Sequence, residues 1–420
     1  MRSDGSSRFA PSDRYGYFPS VSLGWNVSKE SFWKFPQTDL KFRLSYGKTG
    51  NQDGIGNYAW QPLMSGGINY GNNSGMAVTS MGNNKLTWET ADQYDFGFDL
   101  GFWNGKLNMI ADIYLKNTNN LLYSMPLHGT SGFTSITSNI GSMRNYGVEF
   151  SINGHLNIGK VNWTSSFNIS HNKNKLTKLL GDDLLPIGAN RALKVGAELG
   201  AFYLFRMDGL YQYDGEVPQP LYDLGVRAGD VKYHDVDNNG IINDNDRVLT
   251  GSSNPDFFGG WNNTFKYKGF QLDVFFTYMY GNDVYAEWAV TATRPGYRMA
   301  ITEDVAKNRW TAPGSSNKYP RAVNTLCGHN SKNSTRFLED GSFIRLRSLT
   351  FSYTFPQVML QKIRLKGLRL YVQGDNLLLF SKYSGWDPEV SKNMDPQYFG
   401  VDLYGVPPSR SVNFGINLSF

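Results

Sequence analysis

The last ten residues constrain this chain more than any other stretch. Val412, Phe414, Ile416, Leu418 and Phe420 alternate without an error against Ser411, Asn413, Gly415, Asn417 and Ser419. Period 2 is the signature of a β-strand with one apolar and one polar face. The same alternation recurs at Leu272, Val274, Phe276, Tyr278 and Tyr280, and at Tyr94, Phe96, Phe98, Leu100 and Phe102. Val148, Phe150 and Ile152 repeat it, as do Val161, Trp163, Phe167 and Ile169. The apolar face is broad and aromatic, whereas the opposite face is small and polar. A lipid-facing outside and a watery lumen account for both faces at once, so an all-β transmembrane antiparallel barrel is expected. Phe276 and Tyr278 should then face lipid, with Thr277 on the opposite face. A large soluble β-protein, such as a propeller, is the competing reading.

Composition narrows the classes. No run of 18 apolar residues exists, which excludes a helical span. Hydrophobic content of 40% excludes wholesale disorder, and the single Cys327 excludes a disulfide scaffold. The net charge of +5 is spread along the chain, so no nucleic-acid partner is expected.

Turn chemistry suggests a topology. Trp103-Asn104-Gly105-Lys106, Asn157-Ile158-Gly159-Lys160 and Lys268-Gly269 read as tight turns. Long polar stretches fill about 49–89, 119–142, 215–257, 287–340 and 379–408. Bacterial barrels place short turns in the periplasm and long loops outside. Keeping that alternation requires strands near 18–27, 38–48, 90–102, 106–118, 143–157, 160–174, 187–196, 201–214, 258–267, 270–286, 341–355, 367–377 and 409–420. About thirteen strands result, an odd number where single-chain barrels are usually even. The chain also opens on a polar loop from Met1 to Ser7 without a signal peptide. It is therefore expected to be the C-terminal part of something longer.

Several blocks carry a family resemblance. They include Asp4-Gly5-Ser6-Ser7-Arg8-Phe9, Arg14 to Ser20 with Gly24-Trp25, Leu40 to Gln52, Asp230 to Gly251, and Pro255 to Tyr267 with Gly269-Phe270. Phe343-Ile344-Arg345-Leu346-Arg347 through Phe355-Pro356, Asp375-Asn376-Leu377-Leu378, and Lys382 to Glu389 complete the set. In this order they resemble the SusC/RagA-like TonB-linked outer-membrane transporters of the Bacteroidetes. The resemblance implies a 22-stranded plugged barrel that imports large nutrients, most of all oligosaccharides, through the outer membrane. It implies a SusD-like surface lipoprotein as lid, and TonB-ExbB-ExbD acting through an N-terminal part. Residues 1–420 would be the C-terminal barrel portion, with signal peptide, TonB box, plug and first strands outside this chain. Import of oligopeptides by the same machinery, a passive porin or adhesin barrel, and a soluble calcium-stiffened glycan-binding protein are the alternatives.

One motif points to a metal. Asp235, Asp237, Asn239, Asn243 and Asp246 place oxygen ligands at positions 1, 3, 5, 9 and 12 of a loop, with Gly240 at 6 and the Ile241 carbonyl at 7. That is the spacing of an EF-hand or dockerin Ca²⁺ loop, with Asp replacing the usual Glu at position 12. The alternative is an Asx-rich surface turn. No enzyme constellation is found: G-x-S-x-G and H-E-x-x-H are absent. The Asp182-Asp183 pair reads as solvated loop charge, and Cys327 near His329 as an incidental loop cysteine. No catalytic role is expected. Trp288, Tyr297, Trp310, Tyr383, Trp386, Tyr398, Phe399 and Tyr404 are candidate substrate contacts by location, or else girdle and lid-docking residues. Phe420 is the expected assembly signal.

Overall fold

The computed structural model describes residues 1–420 apart from 182–183, 297–298, 325–327, 362–363 and 393–398. The chain divides into two compact units, residues 1–156, 164–184 and 194–199 in the first and 157–163, 185–193 and 200–420 in the second.

The first unit is built on six long strands: β1 (Ser20–Asn26), β2 (Thr38–Asn51), β3 (Glu89–Phe102), β4 (Leu107–Pro126), β5 (Ser135–Ile158) and β6 (Val161–Leu179). Each pairs with its neighbour in chain order. Register converts the period-2 pattern into rows. Leu23, Leu44, Phe96, Ile113 and Val148 lie across one another and are all exposed. The alternate row reads Gly24, Arg43, Gly97, Asp112 and Glu149. On this inward face Arg43 pairs with Asp99 at 3.0 Å and with Asp112 at 2.8 Å. Gly97 makes the crossing possible, because a Cβ there would stand 2.1 Å from Asp112 Oδ1 and 2.6 Å from Arg43 Nη2. At the outer end, Phe9, Phe18, Ile55, Leu86 and Trp88 form a small apolar cluster.

The second unit carries β7 (Phe257–Tyr267), β8 (Phe270–Tyr280), β9 (Phe343–Thr354), β10 (Gly367–Ser381) and β11 (Ser411–Ser419), again paired in chain order. Phe265, Leu272, Phe351, Val372 and Phe414 make one outward row, and Trp261, Phe276, Leu346 and Leu378 another. Thr277 lies opposite Arg345, on the inward face. The tight turns have the expected backbone: Asn104 and Gly105, and Lys268 and Gly269, all take positive φ.

The wall therefore has eleven strands among the described residues instead of about thirteen. Segments 187–196 and 201–214 do not span. Leu184–Ile187, Arg191–Lys194, Ala201–Phe205 and Arg247–Ser252 form a separate four-stranded sheet, and Met207–Leu210 pairs with Val231–Tyr233. The reason is burial on both faces: Arg191, Ala192 and Leu193 are all buried, as are Ala201, Phe202, Leu204 and Phe205. Such segments fit a core and could not serve a wall with one wet face. Removing two strands together leaves the alternation intact. The short connections are 27–37, 103–106, 159–160, 268–269 and 355–366. The connections at the opposite strand ends are 52–88, 127–134, 180–256, 281–342 and 382–410, and all of them but 127–134 are long. The expected 119–142 loop shrinks to 127–134 because β4 and β5 run on past a bulge at Asn120, whose φ is 58°.

Candidate functional site

The long connections of the second unit are folded, not loose. One core holds Phe202, Leu204, Val284, Tyr285, Phe337, Tyr383 and Val401. Another holds Phe205, Leu210, Tyr211, Leu221, Val231, Tyr233 and Ile242. Buried polar groups tie these segments together. Asp230 accepts both Nε and Nη2 of Arg321 at 2.9 Å, and Nδ2 of Asn330 at 2.8 Å. His329 Nε2 donates to the Val231 carbonyl at 2.8 Å, and the Tyr233 hydroxyl donates to the His329 carbonyl at 2.8 Å. Burial pushes the His329 pKa down and that of Tyr233 up.

The acidic turn lies on this scaffold. Gly240, with φ 78°, and Asn238, with φ 56°, supply the sharp bend. Asp235 accepts the backbone N–H of Asn239 and Gly240 at 3.2 and 2.7 Å. Asp246 is fully buried and accepts from Val236 and Asn243 N–H, both at 2.8 Å. One oxygen from each of Asp235, Asp237 and Asp246 falls within 4.8 Å of the others. Desolvation raises the Asp235 pKa, but the N–H groups of Gly240 and Asn239 outweigh it and leave it below the usual carboxylate value. The Asn239 side chain is turned toward Asp237 and the Ile241 N–H, and Asn243 caps Asn245. A hard divalent cation bound within 2.3–2.6 Å of each oxygen would need about this separation between them.

The aromatic candidates separate by exposure. Tyr383 is buried, its hydroxyl donating to Asp402 at 2.7 Å and accepting Trp288 Nε1 at 3.0 Å. Trp310 packs on the second core and donates to Gln212 at 3.2 Å. Phe399 contributes its carbonyl to Arg191. Tyr383, Trp288 and Trp310 thus spend their polar edges on holding the loops together, and Phe399 does so through its backbone. Trp386 and Tyr404 are 80% and 57% exposed. Tyr297 and Tyr398 lie outside the described residues, as do Asp182, Asp183 and Cys327. Phe420 is exposed, one residue beyond β11.

Two of the blocks that carry the family resemblance are partners in space, which their separation along the chain does not reveal. On the inward face of β9, Arg345 pairs with Asp387 at 2.6 Å and with Glu389 at 2.8 Å. Arg347 holds both Glu389 oxygens, at 2.7 and 2.8 Å. The alternating arginines and the Asp-Pro-Glu spacing were the available signal.

The wall, its short and long ends and its folded outer loops now have known counterparts. The profile of the TonB dependent receptor-like β-barrel family matches residues 1–377. TonB-dependent receptor P3 of Formosa agariphila is 34% identical over all of this chain and 43% of its own length. TonB-dependent receptor SusC of Bacteroides thetaiotaomicron is 30% identical over all of this chain and 42% of its own. The solved RagAB peptide transporter superposes with a TM-score of 0.86 at 27% identity, over all of this chain and 45% of that one. The chain thus spans less than half the length of the relatives it matches. It belongs to the TonB-dependent receptor β-barrel family, in its SusC/RagA-like branch, whose members are outer-membrane proteins.

Proposed function

We propose that this chain supplies wall and outer loops to an active importer of large nutrients, energised through TonB-ExbB-ExbD and closed outside by a SusD-like lipoprotein. Likeness over the whole chain to SusC and to the RagAB transporter supports import. We assign oligosaccharides as the cargo and no catalytic step. The supporting observation is the exposure of Trp386 and Tyr404 on the 382–410 loop, since aromatic faces with polar edges suit sugar rings. Oligopeptides are the second reading, favoured by the RagAB likeness. The test is uptake of labelled oligosaccharides and oligopeptides by cells carrying the full-length receptor or its Trp386→Ala/Tyr404→Ala variant, with and without TonB. TonB-dependent sugar uptake that falls in the variant is expected. Uptake of peptides alone would establish the second reading, and uptake without TonB would mean a passive pore.

We further propose that Asp235, Asp237, Asn239, Asn243, Asp246 and the Ile241 carbonyl hold Ca²⁺ as a structural ion that stiffens this outer loop. The mutual approach of three carboxylates supports it. Binding at about 0.1–1 mM is expected, as for extracellular modules of this type. Calcium titration monitored by protease resistance of the 206–256 segment should show a transition in this range, absent in Asp235→Asn/Asp237→Asn. Identical cleavage with calcium and with chelator would leave only a turn.

A further inference from the structure

The outward face of the first unit changes chemistry at the end where the long connections begin. Beyond the apolar row described above comes Val21, Tyr46, Tyr94, Leu115 and Tyr146. Tyrosines at that height form the girdle that marks the headgroup boundary of a membrane barrel. One step further out the row reads Lys48, Asp92, Asn117 and Arg144. On β6 the Tyr114 hydroxyl donates to Asn172, which fixes Asn172 on the inward face beside Tyr114. Alternation then turns His171, Lys173 and Lys175 outward.

The acid of that row is already engaged, since Asp92 accepts the Tyr46 hydroxyl at 2.9 Å and lies 3.9 Å from Lys48. Arg144 donates to the neutral Asn117 at 2.9 Å. Among the described residues no carboxylate lies within ion-pair distance of Arg144, Lys173 or Lys175. This is not a general property of the outer end. In the second unit the last outward positions of three paired strands, Tyr280, Ile344 and Phe380, are apolar and exposed.

Three cations on a strand wall, Lys173 level with the tyrosine girdle and Arg144 and Lys175 just past it, lie on the lipid side and face the layer that holds lipid phosphates. Their long stems can lie on the apolar band while the charged heads reach outward. A guanidinium flanked by ammonium groups suits phosphate, the one by paired hydrogen bonds and the others by charge. A soluble acidic protein would have to approach within the headgroup layer, where the wall is covered by lipid. We propose that Arg144, Lys173 and Lys175 form a binding strip for the phosphate groups of anionic lipid in the outer leaflet.

The test uses the full-length protein, purified in mild detergent and freed of lipid, with diphosphorylated lipid A and its dephosphorylated form as probes in native mass spectrometry. The wild-type protein should retain the phosphorylated lipid selectively. Arg144→Glu/Lys173→Glu/Lys175→Glu should bind it at least about tenfold more weakly. The same charge change at the exposed Lys29, Lys34 and Lys85 should alter binding less than about twofold. If the charge reversal prevents heat-modifiable folding, the neutral Gln triple replaces it, with the same direction expected. Equal binding by wild type and variant, or no preference for the phosphorylated lipid, overturns the proposal. Displacement by millimolar inorganic phosphate overturns it too, because the strip would then be an ion site.

Discussion

Arg345→Met is the substitution whose cost the structure fixes most sharply. Methionine keeps an aliphatic stem and removes the guanidinium from a position where the Arg345 and Asp387 side chains are only 3% and 4% exposed. Glu389 tolerates the loss: its side chain is 29% exposed and it keeps Arg347. Asp387 does not, because it retains only contacts such as the Glu389 N–H at 2.8 Å. An uncompensated buried carboxylate costs about 3–5 kcal/mol, whereas loss of a surface pair would cost at most about 1 kcal/mol. The second substitution Asp387→Asn removes the orphaned charge, so the double variant should regain about half of the loss or more. Urea unfolding in lipid vesicles gives the global cost, and proteolysis within 382–410 reports release of the last outer loop. A single variant within about 1 kcal/mol of wild type would refute the reasoning. So would a double variant no more stable than the single one.

Three other perturbations have defined outcomes. Phe276→Arg, on the outward row with Trp261, should cost about 2–4 kcal/mol if it lies near the midplane, and Thr277→Arg much less; equal costs in vesicle refolding would reverse the two faces. The lowered pKa of buried His329 means that the unfolded segment takes up a proton that the folded one refuses, so loop stability is lost as pH falls below about 6.5. After allowance for the slower intrinsic exchange at low pH, amide protection across 206–256 should fall on acidification in wild type and not in His329→Gln, and matching profiles would argue against the histidine. Deleting Gly415–Phe420 removes most of β11's pairing with β10 and should leave exposed strand edges that aggregate; normal heat-modifiable assembly of the truncated protein would dismiss Phe420 as an assembly signal.

The wall was legible because alternation is local: each strand states its two faces within ten residues, and the turns state their type. The outer loops were not, for a physical reason. At 201–205 an apolar run buried on both faces carries no period, and a wall strand and a core strand look alike there. Pairings such as Arg345 with Asp387 join residues 42 positions apart, so both motifs could be read while their meeting could not. The acidic turn was the exception among the loops, since its chemistry depends on spacing within twelve residues and its three carboxylates do converge. Burial of Tyr383 and exposure of Trp386 depended on tertiary packing that no local pattern encodes.

These strands have one lipid face and one water face. A cysteine scan of β8 from Gln271 to Met279, with Cys327 replaced by Ser in the full-length protein, tests it most directly. A lipid-phase label should react at Leu272, Val274, Phe276 and Tyr278, and a water-phase label at Gln271, Asp273, Phe275 and Thr277. Labelling without a period of two, or water access at both sets, would contradict the account.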